Sequence, residues 1–176
     1  SNPLVNEAVQ TLLSNDGLIL GICNGFQALI KSGLLPYGNI EELSEASPTL
    51  FRNNINRHVS HIATTKVTSN KSPWLSSFTP NDCHSIAMSH GEGKFVVSEE
   101  VAKELFENGQ VATQYVDLEG NPTMDGTYNI NGSYYAIEGI TSKDGRILGK
   151  MGHSERYEDG LFKNIDGNKL QNIFEN

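Results

Sequence analysis

The chain opens with a helical beat. Leu4, Val5, Ala8, Val9, Leu12 and Leu13 recur at three- and four-residue spacing, which lines them along one helix face. Asn2 can cap that helix, and Pro3 suits its first turn, where a missing N–H costs nothing. Asn15-Asp16-Gly17 reads as a turn. Residues 18–22, Leu-Ile-Leu-Gly-Ile, are apolar without alternation, the pattern of a strand covered on both faces inside a parallel sheet. From Asn24 to Ser32, Phe26, Ala28, Leu29 and Ile30 predict a helix that stops at Gly33, and Pro36-Tyr37-Gly38 predicts a turn. Strand, tight turn and helix therefore meet at Cys23.

The middle of the chain changes period. Residues 41–45 predict an acidic loop or short helix. Residues 51–67 are rich in Thr, Val, Ile and His and favour strands, as do the short runs 85–88 and 95–97. Ser98 caps a helix running through Asn108, with Glu99 and Glu100 in the first turn, where the helix dipole favours acids. Residues 111–116, 134–140 and 147–151 complete the strand set, and Asn131-Gly132 is a good hairpin turn. No repeat, low-complexity tract or linker interrupts the pattern. The expectation is one α/β domain over 1–176, with a strand-rich later half.

Composition narrows the function classes. The 176 residues carry 13 Lys and Arg against 21 Asp and Glu, a formal charge of −8, which argues against a general nucleic-acid binder. At 37% hydrophobic and 19% charged, the chain is neither disordered nor membrane-spanning. No apolar run approaches the ~18 residues of a membrane helix, and no signal-peptide layout opens the chain. A cytoplasmic protein with no nucleic-acid and no membrane partner is expected. Two cysteines, Cys23 and Cys83, make no disulfide scaffold. The triplets at Asn70 and Asn131 match glycosylation acceptors only by chance, since nothing indicates secretion.

Gly21-Ile22-Cys23-Asn24-Gly25 has the logic of a nucleophile elbow. A side chain at a sharp strand-to-helix bend is pushed outward, and a glycine on each side relieves the crowding. The helix dipole is expected to lower the thiol pKa, and the Asn24 N–H can stabilise an oxyanion. A thiol nucleophile also needs a base and an orienter for that base. Five histidines are candidates. His58 and His61 lie three apart in a strand-like run and would face opposite sides, so surface or core roles are expected. His84 borders Cys83, but strand neighbours point apart, and Cys83 reads as an ordinary buried thiol. His153 follows the apolar run 147–151 and has Glu155 two residues on; in an extended loop the two share a side and can hydrogen-bond. Cys23, His153 and Glu155 then form a triad in chain order.

These residues carry a resemblance. Leu18 to Gln27, LILGICNGFQ, resembles the active-site signature of class I, triad-type glutamine amidotransferases. Its continuation ALIKSGLLPYG, the segment SHGEGKF from Ser89 to Phe95, and GHSER from Gly152 to Arg156 resemble one branch, the glutaminase domain of phosphoribosylformylglycinamidine synthase. Arg57-His58-Val59-Ser60 and the SNKSPW run from Ser69 to Trp74 also look typical of it. The resemblance spans nearly the whole chain. It implies a flavodoxin-like α/β fold with a mostly parallel sheet and flanking helices. It implies Cys23 as nucleophile on the glutamine side-chain amide, His153 as base and then acid for the leaving ammonia, and Glu155 as the orienting carboxylate. Asn24, Gln27, Ser89, His90 and Gly91 match positions that hold the bound glutamine. A serine stands at Ser154 where the family commonly has proline, and neither neighbour's role needs the ring.

The implied partners are glutamine and a separate synthetase domain that makes formylglycinamidine ribonucleotide with ATP and Mg²⁺. This chain has no G-x-x-x-x-G-K-[ST] run and is expected to use no metal or organic cofactor of its own. The chain begins with Ser1 rather than Met, and only 22 residues precede Cys23. In the family, earlier strands and a Gly-Gly loop with a second oxyanion N–H come first. The resemblance thus implies an N-terminally truncated domain cut from a larger synthase, with little or no glutaminase activity when isolated. A stand-alone glutaminase subunit of the same synthase is the nearest alternative. HGEG and SNKSPW argue against a different synthase, and the intact Cys-His-Glu set argues against a non-catalytic docking domain.

Overall fold

A computed structural model describes residues 2–175. Ser1, on which the reading of the N-terminus rests, lies outside them. The Asn2 side chain accepts the Leu4 N–H at 3.0 Å and starts α1 (Pro3–Ser14). Val9 and Leu13 rest against the core, but no α1 residue is fully buried, and Leu4, Val5 and Leu12 are exposed. β1 (Ile19–Ile22) leads through Cys23 into α2 (Asn24–Lys31). The expected turn at Pro36 is a single kinked turn, α3 (Leu34–Tyr37), closed by Gly38 at φ 91°.

The strand-favouring run 51–67 resolves into two strands, β2 (Thr49–Arg52) and β3 (Val59–Val67), with a turn between. β4 (Cys83–His90) and β5 (Glu92–Val96) follow, then α4 (Glu99–Glu107), whose Ser98 hydroxyl accepts the Val101 N–H at 3.3 Å. β6 (Val111–Tyr115), β7 (Ile137–Thr141) and β8 (Ile147–Lys150) complete the order. The strand expected from Tyr134 begins only at Ile137. Tyr135 and Ala136 take positive φ in a 3₁₀ turn, which no strand accommodates. Asn131-Gly132 does not make a hairpin either. Gly132 turns at φ 75° inside a loop, and Asn131 is fully buried with its amide donating to the Gly93 carbonyl and the Tyr115 hydroxyl.

Six strands form one sheet in the order β1-β8-β7-β6-β3-β4, and β2 pairs with β5 in a separate ribbon. The α/β class holds. The mostly parallel pairing does not hold among the described residues. Only β1 with β8 is parallel, while β8–β7, β7–β6, β6–β3 and β3–β4 are antiparallel. The connections explain this. Short links such as residues 142–146 between β7 and β8 return the chain beside itself, and a parallel neighbour needs a long crossover.

α2 lies close against the parallel pair. A side chain at Gly149 would meet Phe26 Cδ2 at 2.2 Å, and one at Gly21 would meet Leu29 Cδ1 at 2.5 Å. The paired glycines Gly21 and Gly149 thus open the groove that receives the helix. Phe26 is fully buried there and stacks on Phe95 of β5, centroids 6.3 Å apart, which ties the ribbon to the helix behind Cys23. A smaller cluster on the other side of the sheet contains Leu75, Ala112, Leu148 and Ile173. Among the described residues no helix is long and apolar enough to cross a membrane.

Candidate active site

Cys23 sits at φ 54°, ψ −105°, a conformation L-residues rarely adopt. Two backbone bonds enforce it. The Cys23 N–H donates to the Lys150 carbonyl at 2.9 Å, extending the β1–β8 ladder, and its carbonyl accepts the Gln27 N–H at 3.2 Å, opening α2. The thiol is therefore held at the bend by the strand on one side and the helix on the other. Relief of crowding comes from one glycine, not two. Gly21 is packed against α2, whereas a Cβ on Gly25 would meet nothing within 4 Å.

The bend opens into a cleft of about 480 Å³ lined by Cys23, Asn24, Gln27, Ser89, His90, Gly91 and His153. Every residue expected at the site faces this cleft except Glu155, which touches it through His153. The expected His–Glu pair is formed: His153 Nδ1 donates to Glu155 Oε1 at 2.6 Å. The carboxylate fixes the tautomer and leaves Nε2 buried, with no hydrogen-bond partner among the described residues. The Cys23 thiol donates instead to the Ser89 carbonyl at 3.4 Å. Thiol and imidazole thus share the cleft without a bond between them.

The electrostatics of Cys23 correct one expectation. Burial pushes the thiol above its usual pKa, and the Glu155 carboxylate adds to the rise. The Asn24 N–H at the start of α2 and the Arg156 guanidinium pull it down without prevailing. Desolvation of the half-buried sulfur outweighs the helix terminus.

Gln27 Nε2 donates to the Glu92 carbonyl at 2.8 Å across the cleft. Ser89 Oγ lies 3.1 Å from His58 Nε2. The His90 ring is buried, neither nitrogen hydrogen-bonded among the described residues, and lies edge-on to His61 at 6.2 Å. Burial first, then the neighbouring His61 and His58, pushes it down to about 4, so His90 is neutral at pH 7 and a poor base. Cys83 is away from this cleft and half-buried rather than buried, its thiol donating to the Asn81 carbonyl at 3.4 Å. Among the described residues no cluster of three His, Cys, Asp or Glu side chains could hold a metal ion.

Four lining residues were not expected as site residues: Ile22, His58, Glu92 and Arg156. Arg156 Nε lies 3.9 Å from Glu155 Oε1. Its position beside Glu155 in GHSER was the available signal. His58 stands just outside β3, so the alternation argument that sent it to the surface or core did not apply.

Known proteins resemble this chain in sequence and in fold. A family model of the CobB/CobQ-like glutamine amidotransferase domain matches residues 1–176. The phosphoribosylformylglycinamidine synthase subunit PurQ of Gloeobacter violaceus is 36% identical over 166 residues, 94% of this chain and 66% of that protein. Its counterpart from Chlorobaculum tepidum is 37% identical over 152 residues, covering 86% and 59%. The chain thus spans less than two-thirds of the length of these relatives. The solved structure of PurLQS from Thermotoga maritima superposes with a TM-score of 0.63 at 26% identity, over 86% of this chain and 57% of that one.

Proposed function

The chain belongs to the CobB/CobQ-like glutamine amidotransferase family, and on that premise we propose that it hydrolyses glutamine to glutamate and ammonia. The observation that carries this reading is the strained Cys23 elbow facing the same cleft as an oriented His153–Glu155 pair. Cys23 Sγ attacks the side-chain amide carbon as its proton passes to His153 Nε2. The Asn24 N–H, at the free start of α2, meets the oxyanion. His153 returns the proton to the departing nitrogen, and the C–N bond breaks to release ammonia. Water, deprotonated by the same imidazole, then cleaves the γ-glutamyl thioester and restores the thiol. The imidazolium formed in each step is stabilised by Glu155.

The relatives are named as subunits of phosphoribosylformylglycinamidine synthase. The proposed destination of the ammonia is therefore a synthetase partner that makes formylglycinamidine ribonucleotide, with ATP and Mg²⁺ used there and not in residues 1–176. In the full synthase, Cys23→Ala is expected to abolish glutamine-dependent product formation while ammonium salts still support it. Retention of glutamine-dependent turnover in Cys23→Ala would contradict the proposal.

A further inference from the structure

The loop that carries His153 has no ladder or helix to fix it, since residues 151–155 lie outside regular secondary structure. It is held instead by a buried polar network behind the cleft. Lys150 at the end of β8 and Glu138 on β7 have side chains 1% and 0% exposed, with Nζ 4.0 Å from Oε1. Each reaches one flank of His153. Glu138 Oε1 accepts the Gly152 N–H at 2.6 Å, and its other oxygen is bonded to the Thr113 hydroxyl. Lys150 Nζ donates to Ser154 Oγ at 2.7 Å and to Gln171 Oε1 at 2.5 Å, and Ser154 Oγ donates to the same Gln171 oxygen at 2.8 Å.

Two features make this more than incidental packing. Gly152 is pressed into the network, because a Cβ there would meet Ile86 Cγ2 at 2.7 Å and Glu138 Oε1 at 3.0 Å. A buried ion pair is also weak support for stability, since desolvation costs most of what the attraction returns. An apolar pair would fill the space, but it could not grip the backbone before His153 and the side chain after it. Backbone bonds also tie the loop down, the His153 N–H donating to the Ala87 carbonyl at 2.9 Å and the His153 carbonyl accepting the Arg156 N–H at 3.1 Å, but they fix the main chain at His153 and not the residues that flank it.

We propose that Lys150 and Glu138 are positioning residues for His153, acting through Ser154 Oγ and the Gly152 amide to hold the imidazole where it can reach Cys23. The proposal rests on the glutaminase reading. A misplacement of about 1 Å in a reacting group costs on the order of 10²-fold in rate, so a two-sided clamp has a direct catalytic use.

The test compares Ser154→Ala, Ser154→Thr and Lys150→Met in the full synthase, measuring glutamine-dependent and ammonia-dependent turnover. Ser154→Ala is expected to lower kcat with glutamine by about tenfold to 10²-fold, with KM for glutamine and ammonia-dependent turnover unchanged. Ser154→Thr, which keeps the hydroxyl, is expected to restore kcat. Lys150→Met leaves Glu138 unpaired and is expected to do more; if it does not fold, Ser154→Ala decides. Wild-type kcat in Ser154→Ala, a rise confined to KM, or an equal loss of both turnovers would overturn the positioning role. A wild-type synthase that used ammonia but not glutamine would overturn the glutaminase reading first, and this one with it.

Discussion

Glu155 Oε1 lies 2.6 Å from His153 Nδ1, and the opposite nitrogen of the same ring is buried without a partner among the described residues. An imidazole so arranged is a base with a fixed tautomer and one open position. Glu155→Gln replaces the carboxylate by an amide that can still hydrogen-bond but cannot balance an imidazolium. Glutamine-dependent kcat is expected to fall by about 10²–10⁴-fold, with ammonia-dependent turnover retained. Steady-state rates with the two nitrogen sources check this. A loss under tenfold would remove Glu155 from the proton-transfer machinery.

The same neighbours set opposite trends for the thiol. Arg156 lowers the Cys23 pKa and Glu155 raises it, against the larger rise from burial. Removing the cation in Arg156→Gln is expected to raise the apparent pKa, leaving less thiolate at a given pH. Removing the anion in Glu155→Gln is expected to lower it. The rate of Cys23 alkylation by iodoacetamide, resolved by peptide mass across pH, reports both. Shifts of the same sign in the two variants would contradict this electrostatic picture.

Much of the site is legible in the sequence because its parts are local. The elbow follows from an apolar strand, one cysteine and an apolar helix. The His153–Glu155 bond follows from two residues in an extended loop. What failed depends on distant groups. The thiol pKa is decided by how much protein covers Cys23, and no window around residue 23 contains that. His58 enters the cleft because β3 pairs with β4 and brings it beside Ser89, 31 residues on. Lys150 and Glu138 lie 12 residues apart in two apolar strands, and only the β7–β8 pairing brings their buried side chains together. The apolar run 18–22 does pair in parallel, with β8, whereas the directions of the other strands are set by how the chain returns between them, which no single run contains.

The two glycines of the elbow are expected to respond differently to the same change. Gly21→Ala places a methyl 2.5 Å from Leu29 and 2.7 Å from the Gly25 backbone, and is expected to destabilise the fold by about 1–3 kcal/mol. Gly25→Ala meets open space and is expected to leave stability within about 0.5 kcal/mol. Denaturant midpoints of the two variants against wild type test the contrast. Equal losses would show that the bend needs both glycines.

The central claim is that Cys23 is the thiol that attacks glutamine. Its most direct test is to treat the full synthase with an electrophilic glutamine analogue, 6-diazo-5-oxo-norleucine, and map the adduct by peptide mass spectrometry. Stoichiometric modification of Cys23, blocked by excess glutamine and accompanied by loss of glutamine-dependent but not ammonia-dependent turnover, is the expected result. An unmodified Cys23 in synthase that has lost its glutamine-dependent turnover to the analogue would contradict it.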